Sequence, residues 1–120
     1  DYDPNSILEA SQNADIPILG IRAVQAGALT SEMDRKPHES GRDIKDFEDY
    51  ERAEPFRNLA AEWQITPSIL AYRYALSVEK VSSVILGVKN RNELLESLDA
   101  QSEGALTQDQ IYEIDKVLSK

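Results

Sequence analysis

The residues of this sequence that are best suited to chemistry lie where a short apolar run gives way to a helix. The run at residues 84–86 ends at Gly87, and Lys89 follows closely. Asn90 and Glu93 then have the spacing of a capping box, which marks a helix start. A strand, a glycine turn and a helix N-terminus in this order present free backbone N–H groups and the positive end of a helix dipole, which favour an anion. The alternative is an ordinary strand–helix unit with a solvated lysine, and spacing alone favours it because one glycine and one lysine are weak evidence.

Other chemically interesting residues stand alone. Residues 25–28 form a turn of small residues around Gly27, where a backbone could approach a ligand, and a plain turn glycine is the simpler interpretation. The only histidine, His38, has charged and polar neighbours and is interpreted as a solvated surface residue. No Ser/His/Asp or Cys/His set can be built around it, and a chain without cysteine has no thiolate metal site.

Apolar spacing and capping residues predict the elements that must position these residues. The predicted order is helix, strand, long loop, two helices, strand, helix and helix. Strands are predicted over residues 16–24 and 83–88, each buried on both faces of a parallel sheet. The polar stretch at residues 31–52 is predicted to be a loop. Five helices are predicted: over residues 4–13, from Pro55, over residues 67–77, from Asn90, and from Thr107 to Leu118. In the helix from Pro55, Trp63 is expected in the core. In the helix from Asn90, the leucines at 94, 95 and 98 lie on one side.

The predicted fold class is α/β, and it is incomplete. Strands separated by helices imply parallel pairing through right-handed crossovers. Two strands do not make a sheet, so we expect open hydrogen-bonding edges and uncovered apolar faces. The chain would then need further strands, or would self-associate through these edges.

Composition and charge exclude several classes of function. With 22 acidic against 13 basic residues the net charge is −9, which would repel a phosphate backbone, so no nucleic-acid partner is expected. No apolar run reaches the length of a membrane span and nothing resembles a signal peptide, so no membrane partner is expected and a cytoplasmic location fits. The sequence does not begin with methionine, and we expect it to be part of a longer polypeptide.

Three stretches together resemble one known family. They are IRAVQAGALT at residues 21–30, TPSILAYRYALS at residues 66–77 and VSSVILGVKN at residues 81–90. In this order and spacing they resemble the C-terminal part of aldo-keto reductases. The resemblance implies the C-terminal part of a single (β/α)₈ TIM barrel domain over residues 1–120, with residues 16–24 as its seventh strand and residues 83–88 as its eighth.

The resemblance also implies NAD(P)H-dependent reduction of aldehydes and ketones to alcohols. The family's catalytic set is Asp, Tyr, Lys and His, and no stretch of this sequence matches it. The chain is therefore expected to supply cofactor-binding loops and no catalytic residue. The expected partners are NADP(H), with NAD(H) as the alternative, and a small carbonyl substrate in the intact parent.

In the first strand and its loop, the resemblance carries a cofactor role to four positions. Ile21 stands where the family often stacks a Tyr on the nicotinamide, and Arg22 stands where it often has Ser near the diphosphate. Val24 and Ala26 are similar to the next positions of the diphosphate loop.

After the second strand, the resemblance implies an adenosine-phosphate loop and an adenine contact. Gly87, Val88 and Lys89 form the phosphate loop, and Arg91 adds a second cation. Three positions of the following helix also correspond to cofactor-binding positions of the family. Glu93 stands where the family often has Arg or Gln, Glu96 matches its adenine-contacting Glu, and Ser97 replaces its usual Asn.

Lys89 is predicted to pair with a 2′-phosphate and so to favour NADPH. Glu93 would oppose this unless the capping box turns its carboxylate back to the Asn90 N–H. Two other functions stay open: a non-catalytic nucleotide-binding or interaction module derived from the same barrel, and a phosphate-binding domain unrelated to the family.

Overall fold

A short parallel strand pair lies among six α-helices in the computed structural model, which describes residues 3–33 and 35–119. In chain order the elements are α1 Pro4–Asn13, β1 Leu19–Gly20, a 3₁₀ turn Gln25–Gly27, α2 Ile44–Arg52, α3 Glu54–Glu62, α4 Pro67–Leu76, β2 Ser83–Val84, α5 Arg91–Glu103 and α6 Gln108–Leu118. The α/β class and the parallel pairing are confirmed, with Leu19 opposite Ser83 and Gly20 opposite Val84. The sheet is open, not a closed barrel.

Helix starts follow the capping residues that the sequence offers. The Asp3 side chain accepts a hydrogen bond from the Asn5 N–H, and Asn90 accepts one from the Glu93 N–H. Thr107 forms a complete capping box at the start of α6. These side chains satisfy N–H groups that have no partner inside a helix, which is why the predicted starts are confirmed.

The predicted length and burial of the strands are wrong. Each strand has two residues, not the six to nine predicted from residues 16–24 and 83–88. Ile21 is 69% exposed and Ile85 is 53% exposed, so the apolar runs are not buried on both faces. A parallel strand is covered on both sides only when neighbouring strands and helices are present. Within residues 3–33 and 35–119 each strand has a single neighbour.

The polar stretch that was predicted to be a loop contains helix α2. This helix has no buried residue, and its short apolar stripe of Ile44, Phe47 and Tyr50 stands among charged residues, which is why the stretch was interpreted as a loop. Interactions with other parts of the chain stabilise it instead. The Arg57 guanidinium donates to the Tyr50 carbonyl at 2.6 Å and stacks 3.8 Å from the centroid of the Tyr50 ring.

The apolar side of α5 is also uncovered in this part of the chain. Leu94, Leu95 and Leu98 are about half exposed, and Ala100 is the buried residue of the helix. Helix α5 makes its main contact with α4, and a small side chain such as Ala100 allows two helix backbones to approach closely. The leucine stripe therefore faces away from the core of the described residues.

The core lies between helices α3, α4 and α6. Its buried members are Phe56, Leu59, Ala60, Leu70, Ala71, Leu106 and Ile114. Trp63 is partly buried against this cluster, which confirms its predicted place in part. Complete burial of each large apolar side chain contributes roughly 1.5–3 kcal/mol, so this helical cluster is the main source of stability.

No helix within residues 3–33 and 35–119 has both the length and the apolar character needed to cross a membrane.

We expect the purified chain to bind a hydrophobic dye and to self-associate, because three leucines on α5 leave about half of their side chains exposed. Leu98→Lys should reduce dye fluorescence and the apparent mass by light scattering. Ile44→Lys is the matched control, since Ile44 is at least as exposed as Leu98 but stands on α2 and not on that stripe. A monomer that binds no dye would contradict this prediction.

A hydrogen bond between α4 and α6 predicts alkaline sensitivity. The Tyr74 hydroxyl donates to Asp115 Oδ1 at 2.6 Å, and burial, aided by Asp115, raises the pKa of Tyr74 to about 12. A raised tyrosine pKa stabilises the fold below the ordinary value near 10, and this stability is lost as the pH rises from about 10 to about 12. The free energy of unfolding of Tyr74→Phe should fall less over that range.

Chemical denaturation at several alkaline pH values measures this effect. Tyr112→Phe is the matched control because the Tyr112 side chain is exposed and on the same helix as Asp115. If the free energy of unfolding had the same pH dependence in wild type and Tyr74→Phe, the ionisation of the Tyr74 hydroxyl would not be coupled to folding.

Candidate functional site

Parallel pairing places the C-terminal ends of both strands at one edge of the sheet. The Ile85 N–H donates to the Gly20 carbonyl at 2.8 Å, so residue 21 and residues 86–90 leave the sheet side by side. In open α/β sheets, ligands bind outside the carboxyl ends of the strands. The residues predicted to bind a cofactor all follow one strand end or the other, which makes this edge the candidate site.

The loop after β1 has an unusual backbone. Arg22, Gln25 and Ala26 have φ values of 58°, 50° and 54°, in the left-handed region that non-glycine residues rarely adopt. Gly27 follows at φ 99°, and a Cβ there would approach the Met33 sulfur at 3.3 Å. Such backbone conformations cost of order 1–3 kcal/mol each and persist only when surrounding contacts hold them.

Helix α2 supplies contacts that hold this loop. Asp46 Oδ1 accepts from Arg22 Nη2 at 3.3 Å, and Asp46 Oδ2 accepts from Arg35 Nη2 at 2.5 Å. One helical turn later, Asp49 accepts from the Gln25 side-chain amide at 3.3 Å. The hydrogen bond from Arg35 is the main reason that the pKa of Asp46 is lowered from its ordinary value, against the opposing effect of burial.

Arg57 of α3 ties the same loop to the helices. It donates to the Ala28 carbonyl at 2.8 Å as well as to the Tyr50 carbonyl. Sequence reasoning missed Asp46, Asp49 and Arg57 because their partners in the loop after β1 are 24 to 29 residues away in the chain. The charge-rich stretch at residues 42–52 was the only sequence signal, and it carries no information about which loop it contacts.

The start of α5 differs in one respect from its prediction. Glu93 does turn back toward the helix start, but Glu93 Oε2 accepts from the N–H of Lys89 at 2.7 Å, one residue earlier than Asn90. Glu93 Oε1 also lies 3.8 Å from Lys89 Nζ. The carboxylate therefore occupies part of the space in front of the helix N-terminus where an anion was predicted.

The other predicted positions differ in their accessibility. Ile21, Gly87, Val88 and Arg91 are exposed at or near the sheet edge. Val24 is half-buried and packs against the helical core, so it anchors the loop after β1 to that core. Ala26 is half-buried within the 3₁₀ turn.

Glu96 and Ser97 lie on the first two turns of α5. Glu96 accepts from the Asn92 amide at 3.1 Å, and burial, followed by the charges of Glu93 and Asp99, raises the pKa of Glu96. Ser97 donates to the Leu94 carbonyl at 2.7 Å. The two residues are half-buried, so both retain accessible surface.

A cleft of about 210 Å³ lies between α4, β2 and α5. Of the predicted cofactor residues only Ser97 lines it, together with Tyr72, Leu76, Ser83, Val84, Leu86 and Gln101. Tyr72 is 6% exposed, and its burial, aided by the charges of Glu93 and Glu96, raises its pKa. The cleft adjoins the candidate edge, but none of its seven lining residues carries a charge.

A metal site and a histidine base receive no support within residues 3–33 and 35–119. No group of three or more possible metal-binding side chains occurs there. His38 is exposed, and its Nδ1 lies 2.8 Å from the Ser40 hydroxyl, which confirms the predicted surface position.

Comparisons with known proteins bear on this geometry. A family model described as "Aldo/keto reductase family" matches residues 1–119. A search of curated proteins finds no match.

Proposed function

The chain belongs to the aldo/keto reductase family, and from that membership we propose that it supplies the cofactor-binding loops of an NAD(P)H-dependent enzyme that reduces aldehydes and ketones. The family consists of oxidoreductases with a TIM-barrel fold that typically bind nicotinamide cofactors. In this proposal the chain is the C-terminal part of one barrel domain, and the catalytic residues belong to other parts of the parent protein. A cytoplasmic location is proposed with it.

The parallel strand register is the observation that carries the proposal. It brings the loops after β1 and β2 to one sheet edge, and active sites of TIM-barrel enzymes lie at the C-terminal ends of the strands. The family fold and the strand geometry thus both support a site at this edge. The exposed apolar faces of both strands and of α5 are the surfaces that the rest of a barrel would cover.

Each loop has a cation suited to a phosphate group. Arg22 would approach the diphosphate, and Lys89 with Arg91 would approach the adenosine phosphate. Ile21, exposed at the sheet edge, offers a flat apolar contact for the nicotinamide. The accessible sides of Glu96 and Ser97 would contact the adenine.

We propose NADP(H) as the preferred cofactor and NAD(H) as the alternative. Glu93 limits that preference because its carboxylate lies beside Lys89. The ion pair between them is largely exposed on the lysine side, and exposed pairs are worth only about 0–1 kcal/mol. A dianionic phosphate could therefore compete with Glu93 for the ammonium group.

Replacing Lys89 tests the phosphate contact. Lys89→Ala should weaken NADPH binding about tenfold, since a hydrogen bond to a charged group contributes roughly 1.5–3 kcal/mol and Glu93 offsets part of it. NADH binding should change little because NADH lacks the 2′-phosphate. Both dissociation constants can be measured through the fluorescence of Trp63, the only tryptophan.

Lys116→Ala is the matched control, because Lys116 is an exposed lysine on α6, away from the strand ends. Equal losses for NADPH and NADH in Lys89→Ala would mean that Lys89 only shapes the loop. A wild-type chain that binds neither nucleotide would contradict the proposed cofactor role.

The chain on its own should not reduce carbonyl compounds. General acid catalysis by a positioned side chain typically contributes about 10²–10⁴-fold, and no stretch here matches the family's proton donor or its partners. We expect NADPH with a reactive aldehyde to be consumed no faster than with boiled protein. Sustained turnover above that background would require catalytic residues within this chain and would overturn their proposed absence.

A further inference from the structure

We propose that Asp46 is a positioning residue that holds Arg22 and Arg35 as a paired cation site for the diphosphate of a dinucleotide. The inference rests on the proposed function and extends it to two residues, Arg35 and Asp46, that carried no role in the sequence interpretation. Neither of these residues lies on a strand end. Asp46 contacts the loop after β1 through Arg22, and Arg35 in turn contacts Asp46.

The carboxylate of Asp46 lies between the two guanidiniums and contacts both. Arg22 and Arg35 each use Nη2, and each takes a different oxygen of Asp46. A guanidinium has several N–H donors in a fixed plane, so one contact orients it and leaves most donors available. The side chains of Arg22 and Arg35 are 52% and 41% exposed, whereas that of Asp46 is 22% exposed. The carboxylate is the least accessible of the three groups, and both guanidiniums remain open to a ligand.

Asp46 also helps to hold the backbone of the loop after β1. Arg22 has a φ of 58°, which places its side chain where an ordinary extended residue would not. Asp46 and Asp49 lie one turn apart on α2 and contact Arg22 and Gln25, both of which are left-handed residues of this loop. Arg35 is held in addition by the Phe47 ring, whose centroid lies 5.7 Å from its guanidinium carbon. The same helix therefore fixes both cations and the loop between them.

The charge of these three side chains favours an anion. Two guanidiniums around one carboxylate leave a local excess of positive charge in a chain whose net charge is −9. Guanidinium pairs are well suited to bind phosphate oxygens, because their N–H groups match the geometry of the anion. A diphosphate has two linked phosphate groups, so each phosphate can contact one of the two guanidiniums.

The test uses the full chain, with inorganic pyrophosphate and NADPH as separate probes in calorimetry. Asp46→Asn keeps the size of the side chain and removes its charge, and should weaken pyrophosphate binding about fivefold. Asp46→Glu should restore most of the affinity. Glu48→Gln is the matched control, since Glu48 is an exposed acid on the same helix. Melting curves for all variants separate lost binding from lost folding.

The double variant decides whether Asp46 acts through the arginine. In an Arg22→Ala background, Asp46→Asn should cause a smaller further loss of pyrophosphate affinity, because only Arg35 then depends on Asp46. A full fivefold loss in that background, or unchanged or tighter binding by Asp46→Asn alone, would overturn the proposal. The same conclusion would follow if Asp46→Asn and Glu48→Gln behaved alike.

The two probes separate this inference from the proposed function. Pyrophosphate binding that depends on Asp46, without NADPH binding, would support the anion site and refute the cofactor role. NADPH binding without pyrophosphate binding would leave the cofactor role standing and overturn the anion site. Failure to bind either probe would overturn both.

Discussion

The backbone pairing between β1 and β2 is the constraint on which the arrangement of the candidate site depends. The Ser82 N–H donates to the Ile18 carbonyl at 2.8 Å, and the Ile18 N–H donates to the Ser82 hydroxyl at 3.2 Å. Gly20 permits this approach, since a Cβ there would come within 3.2 Å of Val81 Cγ1. Because the strands are parallel, their ends coincide, and two loops that are far apart in the chain leave the sheet together.

The helical core keeps the crossover between these strands in place. Arg73 of α4 donates to the Gly104 carbonyl, and the Ser77 hydroxyl accepts from the Leu106 N–H, so the end of α4 is tied to the turn between α5 and α6. The core cluster then packs α6 onto α3 and α4. Two-residue strands are too short to be stable alone, and their register follows from the helices that fix their ends.

Sequence reasoning predicted what local chemistry determines and missed what distant contacts determine. The start of α6 at Thr107 follows from residues within one turn, and its prediction is confirmed. The strand predicted at residues 16–24 is too long, because apolar character signals burial and cannot supply the neighbours that extend a strand. Asp46 was missed because its arginine partners come from a loop and a polar stretch that nothing in the local pattern connects to α2. Whether these residues bind a cofactor stays a prediction.

The two loops at the sheet edge share one electrostatic arrangement. Arg22 contacts Asp46 on a neighbouring helix, and Lys89 contacts Glu93 in the first turn of the helix that follows it. Exposed ion pairs of this kind contribute little to stability, since solvent screens them and side-chain order costs entropy. Each cation is therefore oriented at little energetic cost and can exchange part of its carboxylate contact for a ligand oxygen. Buried pairs would fix the same geometry but would resist that exchange, because separating charges away from water is expensive. Weak, exposed pairs at this edge are consistent with the proposed binding and release of an anionic ligand.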